Sequence, residues 1–159
     1  MQQFSFDFGD PSWNLGGWNI GAQVITFENT YGLDLDRSRL ENGSIVCEGL
    51  RWAGGQQRCE GRVRIDTEGG RERLTLRLSA RHERKIRCTK LVVSGLPVGT
   101  VIGSRWEEHE VPADGIILGW PRGGLPMPLM FIRDAGEEGG WIYLRSLDDR
   151  VREKRIALY

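Results

Sequence analysis

Cysteine is scarce. The 159-residue chain holds three, Cys47, Cys59 and Cys88, with no CxxC spacing. An odd, scattered set argues against a disulfide framework or a zinc knuckle and suits reduced thiols in the cytoplasm. No apolar run approaches the roughly 18 residues of a membrane span. The opening MQQFSFDFGD lacks the basic start and apolar core of a secretory leader. Excess charge is missing as well: 22 Lys and Arg balance 22 Asp and Glu. The electrostatic footprint of a nucleic-acid or anionic-membrane binder is therefore not present, and neither partner is expected. No stretch carries the long 3.6-residue period of an amphipathic helix. The glycine pairs never form GxGxxG or a Walker loop, so nucleotide binding has no support and no cofactor is expected.

What the chain does have is glycine, 22 residues, tryptophan, six, and strict alternation. Leu74, Leu76, Leu78 and Ala80 interleave with Arg73, Thr75, Arg77, Ser79 and Arg81, the pattern of a strand with one dry and one wet face. Beyond the charged corner Arg81 to Lys85, a second run from Ile86 to Val93 stops at Ser94-Gly95-Leu96-Pro97, so a bend or hairpin joins two strands. A sheet with one apolar face needs a cover, and with no helix to supply it the cover is a second sheet.

Further strands are predicted at Phe4 to Phe8, Ala22 to Thr30, Ser44 to Trp52, Gly61 to Thr67 and Gly99 to Ile102. A hairpin runs from Leu129 to Ile132 and from Trp141 to Arg145, and Asn42-Gly43 marks a turn. Ile116-Ile117-Leu118 suits a strand buried on both faces or a core crossing. Trp13 to Gly21 reads as a loop or bulged edge, and Tyr31 to Asn42 as a connection with at most a brief strand. Gly119 to Pro128 contains three prolines and three glycines and must be a well-defined loop. The segment from Ser146 to Tyr159 holds one helical turn, capped by Ser146 with Asp149 at its third position. The expectation is all-β: a single two-sheet antiparallel β-sandwich over residues 1–159, with at most one short helix.

Sugar surfaces use flat aromatic faces with polar neighbours for the hydroxyls. Trp120 and Arg122 in the proline-glycine loop, and Trp18 and Asn19 near the N-terminus, fit that description and are the carbohydrate-binding candidates. Trp13, Trp52 and Trp106 fit less well and read as packing. Asp34, Asp36 and Ser38 alternate oxygens as a calcium loop does. However, Arg39 and Ile45 stand where an EF-hand needs glycine and glutamate, so a solvated loop is the reading and no metal is expected. Glu107, Glu108, His109 and Glu110 read as a hydrated edge whose charges discourage pairing with other chains. His82 reads as a surface corner, and nothing places Cys88 beside a histidine. No catalytic residue is assigned.

Two resemblances follow. Gly16-Gly17-Trp18 resembles the G-x-W signature of lipocalins, eight-stranded barrels around small apolar ligands. There is, however, no Thr-Asp-Tyr segment midway and no long helix after the last hairpin. A broader match uses Cys59 to Ile65, Lys85 to Leu91 closing on Gly95-Leu96-Pro97, Gly115 to Pro121 and Ser146 to Arg152. Together these resemble the N-terminal supersandwich domain of multidomain glycoside hydrolases of the α-galactosidase and α-glucosidase type. That resemblance implies an accessory domain, inert alone, beside a barrel that bears both catalytic carboxylates and lies beyond Tyr159. The apolar finish Ile156-Ala157-Leu158-Tyr159 fits a chain that continues. The sandwich would lend the loop from Gly119 to Pro128 to the sugar cleft. A stand-alone carbohydrate-binding module and a lipocalin-like carrier are the alternatives.

Overall fold

A computed structural model describes residues 4–5, 12–15, 17–52, 55–69, 73–104, 107–133, 141–148 and 150–159. Its elements are β1 (Phe4–Ser5), β2 (Ser12–Leu15), β3 (Trp18–Thr26), β4 (Thr30–Leu33), a 3-10 turn (Leu35–Arg37), β5 (Ser38–Glu41), β6 (Ser44–Trp52), β7 (Arg58–Glu68) and β8 (Arg73–Arg81). There follow β9 (Ile86–Ser94), β10 (Val101–Gly103), β11 (Glu108–Glu110), β12 (Ile116–Trp120), β13 (Leu129–Arg133), β14 (Trp141–Arg145) and β15 (Lys154–Leu158). The chain is all-β, and its strands form two sheets. Among the described residues no helix is long and apolar enough to cross a membrane. Phe6 and Phe8 of the expected opening strand, Trp106, the tip 134–140 of the last hairpin and the expected helix position Asp149 lie outside the described residues.

The large sheet runs β12-β15-β9-β3-β4-β6-β7-β8 and curls on itself. Short β4 bridges β3 and β6 only at their C-terminal ends, with Val24 opposite Tyr31 and Leu33 opposite Leu50. Alongside the N-terminal halves of β3 and β6 lie β2 and β5 instead, so the sheet is split there. β5 reaches β6 through Asn42 and Gly43, at φ 51° and 80°, the left-handed pair a two-residue hairpin turn demands. The small sheet runs β11-β10-β13-β14. β9 leaves the large sheet, the chain builds β10 and β11, returns for β12, crosses for β13 and β14, and comes back as β15 beside β9. The small sheet is thus threaded between two neighbouring strands of the large one. β15 pairs β9 in parallel, while the other strand ladders among the described residues are antiparallel.

One face of the large sheet carries both cores. Trp13, Val24, Tyr31, Leu33, Ile45, Leu50, Val63 and Ile65 fill the curl, with Leu76 and Leu78 of the edge strand half-buried against them. Val93, Ile156 and Leu158 face Ile102, Met130 and Ile132 of the small sheet, and Leu91 touches both clusters. Opposite the core, β5 to β8 carry a charge ladder. Arg39 and Arg62 pair with Glu41 and Glu48, and Asp66 takes Arg64 and Arg77. Fully buried Val46 lies in register between Arg39 and Arg64, whose long stems suit them to cover it.

Several expectations need correction. Trp13 to Gly21 is not a loop: β2 and β3 form a hairpin with Leu15 opposite Trp18. The connection after Tyr31 contains two strands and a 3-10 turn. Of the bend or hairpin expected between β8 and β9 the structure has the bend: the two strands are not paired, and the corner carries the chain from one end of the large sheet to its middle. Ile117 is 51% exposed, because β12 is the terminal strand of its sheet and has only one covered face. Ser146 caps no helix among the described residues. Its hydroxyl accepts from the Asp148 amide, and the Asp148 carboxylate accepts from the Arg150 amide, two successive side-chain turns.

Candidate functional site

β12 ends at Trp120, directly opposite Lys154 at the start of β15. Both side chains lie on the core-facing side, one step beyond Leu118 and Ile156, so the pair closes the end of the second core. Lys154 Nζ stands 5.0 Å from the centre of a Trp120 ring, a cation over a π face. Its three donors meet Arg150 O at 3.0 Å, Arg152 O at 3.0 Å and the Asp148 carboxylate at 3.2 Å. One ammonium therefore ties the link between β14 and β15 to the indole. A sequence reading had no route to this pair, since 34 positions separate Trp120 from Lys154 and only the β12–β15 register joins them.

Beyond Trp120 the chain folds back at once. Gly119 N donates to Gly123 O at 2.8 Å, and Leu125 N donates to Gly119 O at 3.0 Å. Arg122 rides exposed on the tip of this tight loop. Gly119 must be glycine, because a Cβ there would meet the Arg122 carbonyl. The proline-glycine stretch is thus the ordered loop its composition implies, with Trp120 anchored at its base and Arg122 free above it.

Trp18 and Asn19 are placed elsewhere. Trp18 is half-buried against the second core, and Asn19 accepts a hydrogen bond from Asn14 at 3.0 Å. Asn19 is level with Ser94 of β9, while Trp120 and Lys154 are level with Thr89. Five residues along a strand separate the two levels, about 17 Å at ~3.3 Å per residue. The structure keeps Trp120 and Arg122 together and does not bring Trp18 and Asn19 to them.

The remaining candidates resolve by burial. Asp34 is no solvated loop residue: it is wholly buried, with Arg58 Nη1 2.6 Å from its carboxylate and Arg51 at 3.8 Å. Its partners are cations, the opposite of a calcium loop. Glu108, His109 and Glu110 form the fully exposed edge strand β11, as expected of a hydrated edge. His82 is more than a surface corner, for its ring lies 4.9 Å from that of Tyr31. Cys47, Cys59 and Cys88 are free and buried, and burial pushes each thiol up from its ordinary value. Such thiols stay protonated and are poor nucleophiles. Among the described residues no group of His, Cys, Asp and Glu is arranged to hold a metal ion. An open groove of about 370 Å³ lies on the outer face where Gly49 makes a bulge between β6 and β7. Arg37, Arg58, Glu48 and Glu60 line it, two cations and two anions, which gives it no net preference for a charged ligand.

Two carboxylates make the fold sensitive to acid. Hydrogen bonds from Ser44 and then Arg64 hold Asp66 below the usual carboxylate range, and the Arg150 amide, then Lys154, do the same for Asp148. A depressed folded value means stability that is complete above the unfolded value, about 3.9, and withdrawn as pH falls through the folded one. Urea midpoints are expected to hold from about pH 7 to 5 and to fall below about 4. Asp66→Asn and Asp148→Asn should each flatten that fall; a profile unchanged in both variants would show that these contacts do not contribute.

Comparison with known protein families, curated proteins and solved structures yields no match for this chain.

Proposed function

We propose that this chain is a non-catalytic accessory β-sandwich of a glycoside hydrolase of the α-galactosidase or α-glucosidase type, docked on a catalytic barrel and presenting the Trp120–Arg122 loop at the edge of the sugar cleft. The observation that carries the reading is the union of an ordered aromatic-cationic loop with two exposed apolar side chains on the segment tied to it. Leu147 and Val151 are 64% and 76% exposed, and they belong to the segment that Lys154 ties to Trp120. A neighbour seated on Leu147 and Val151 would have Trp120 and Arg122 at its margin. The large sheet is open, with β12 and β8 as its ends, which leaves no sealed cylinder for a lipocalin-like carrier among the described residues.

Two outcomes test this. The reading frame is expected to continue beyond Tyr159 into about 250 residues of alternating strand and helix. In that full-length enzyme Trp120→Ala with Arg122→Ala should lower kcat/KM about tenfold, ~1.4 kcal/mol of transition-state binding, with far-UV circular dichroism unchanged. Kinetics equal to the parent enzyme would remove the proposal.

A further inference from the structure

Level with Trp120 along the strands but four strands across the large sheet, on β4, three loops meet around Tyr31. Trp52 is directly opposite Tyr31 in the β4–β6 ladder, so the two rings share the inner face, and Trp52 is 38% exposed where Tyr31 is buried. The His82 ring, from the corner after β8, lies 4.9 Å from that of Tyr31. Asn29 and Gln57 complete the rim. Asn29 Nδ2 donates to Gln57 Oε1 at 2.6 Å and to Tyr31 Oη at 3.4 Å, and Tyr31 Oη donates to Gln57 Oε1 at 3.5 Å.

That closed circuit fixes what is left over. Both Asn29 amide hydrogens and the Gln57 carbonyl are used, so the rim presents the Gln57 NH₂ as donors and the Asn29 carbonyl as acceptor. His82 Nδ1 accepts from the Arg84 amide at 3.0 Å, so its neutral ring carries the proton on Nε2, a further donor. Of the nearby charges Arg84 lies 3.6 Å from Glu28, Arg87 over the Phe27 ring and Arg58 against Asp34, and the corner's remaining charges, Arg81, Glu83 and Lys85, are of both signs. A part-exposed indole beside neutral donors and an acceptor held in fixed positions is matched by a ring that is apolar on its C–H face and hydroxylated at its edge.

We propose that Trp52, Asn29, Gln57 and His82 form a binding site for an uncharged saccharide, separate from the Trp120 loop. The site is of a kind that recognises one terminal sugar unit, with Trp52 under the ring and Gln57 and Asn29 at adjacent hydroxyls. The test is a ¹H–¹⁵N titration of the 159-residue chain with maltotriose, cellotriose and α-1,6-galactobiose in turn. Saturable shifts are expected at the Trp52 indole and at the Asn29 and Gln57 side-chain amides with at least one of these. Trp52→Ala should weaken binding at least tenfold and Gln57→Ala several-fold, while Tyr143→Ala, which removes an exposed ring on the small sheet, leaves it unchanged. Binding by a folded Trp52→Ala variant equal to the parent's, shifts confined to the Trp120 loop, or no shift at these three residues with any of the sugars would each overturn the proposal. The second of those outcomes would still leave the accessory-domain reading standing.

Discussion

Replacing Arg58 by methionine is expected to cost roughly 3 kcal/mol, considerably more than removing its partner by Asp34→Asn. The two ends of this ion pair are not equivalent. Arg58 is half exposed and, without Asp34, its guanidinium returns to water. Asp34 is wholly buried, its Oδ2 held by Arg58 while its Oδ1 has no hydrogen bond and only Arg51, at 3.8 Å, within ion-pair range. Deleting the cation therefore strands a carboxylate in the core, whereas deleting the anion frees a cation at the surface. Asp34 also organises the corner between β4 and β5 through its main chain, where its carbonyl accepts from Arg37 N, Ser38 Oγ and Cys47 Sγ. Asparagine keeps that carbonyl and the side-chain shape, so Asp34→Asn should cost only about 1 kcal/mol. A double-mutant cycle by urea unfolding reads the coupling directly. Equal losses for the two single variants would show that burial of Asp34 is not what makes the pair matter.

Asp34 also illustrates where a sequence reading stops. Alternating oxygens at residues 34, 36 and 38 suggest a wet loop, and nothing local says otherwise. The residues that contradict it, Arg51 and Arg58, reach Asp34 only through the ladders that fold β6 and β7 beside β4. The same limit explains which strands were legible. β6, β8 and β9, and the β13–β14 hairpin, follow from alternation bounded by turn residues. β4 and β5, at four residues each, are too short to show a period, and β2 was hidden by the small polar residues around Gly17. β15 does alternate, with Lys154, Ile156 and Leu158 toward the core and Arg155 and Ala157 away. It was obscured by the charges and the Ser-x-x-Asp spacing before it, which imitate a helix start. Its parallel docking on β9 links residues some 65 positions apart, a pairing that composition cannot announce. The loop from Gly119 to Pro128 was readable because proline and glycine act locally. The rim around Tyr31 was not, because its members come from three loops and no single one of them is unusual.

Trp13→Ala is expected to be among the most damaging single substitutions, roughly 3–5 kcal/mol for an emptied buried indole. The argument comes from the split in the large sheet. Below the reach of β4, the gap between β3 and β6 is flanked by β2 on one side and β5 on the other, and no strand ladder joins those two. Trp13, on β2, is 1% exposed within the first core, and its Nε1 donates to Ser38 Oγ at 3.1 Å, at the start of β5. One side chain thus fills the gap and links its two margins. Trp13→Phe should cost less, because most of the volume remains and chiefly the hydrogen bond is lost. Ser38→Ala, which leaves the indole in place but its N–H unpaired, should cost about 1–3 kcal/mol. If the indole is the plug, hydrogen exchange in Trp13→Ala will accelerate together in β2 and β5 while β7 retains its protection. Loss of protection spread evenly over all strands would mean that the ring matters only as core volume and that something else holds the split closed, whereas a Ser38→Ala penalty as large as that of Trp13→Ala would mean that the hydrogen bond, and not the ring, links the two margins.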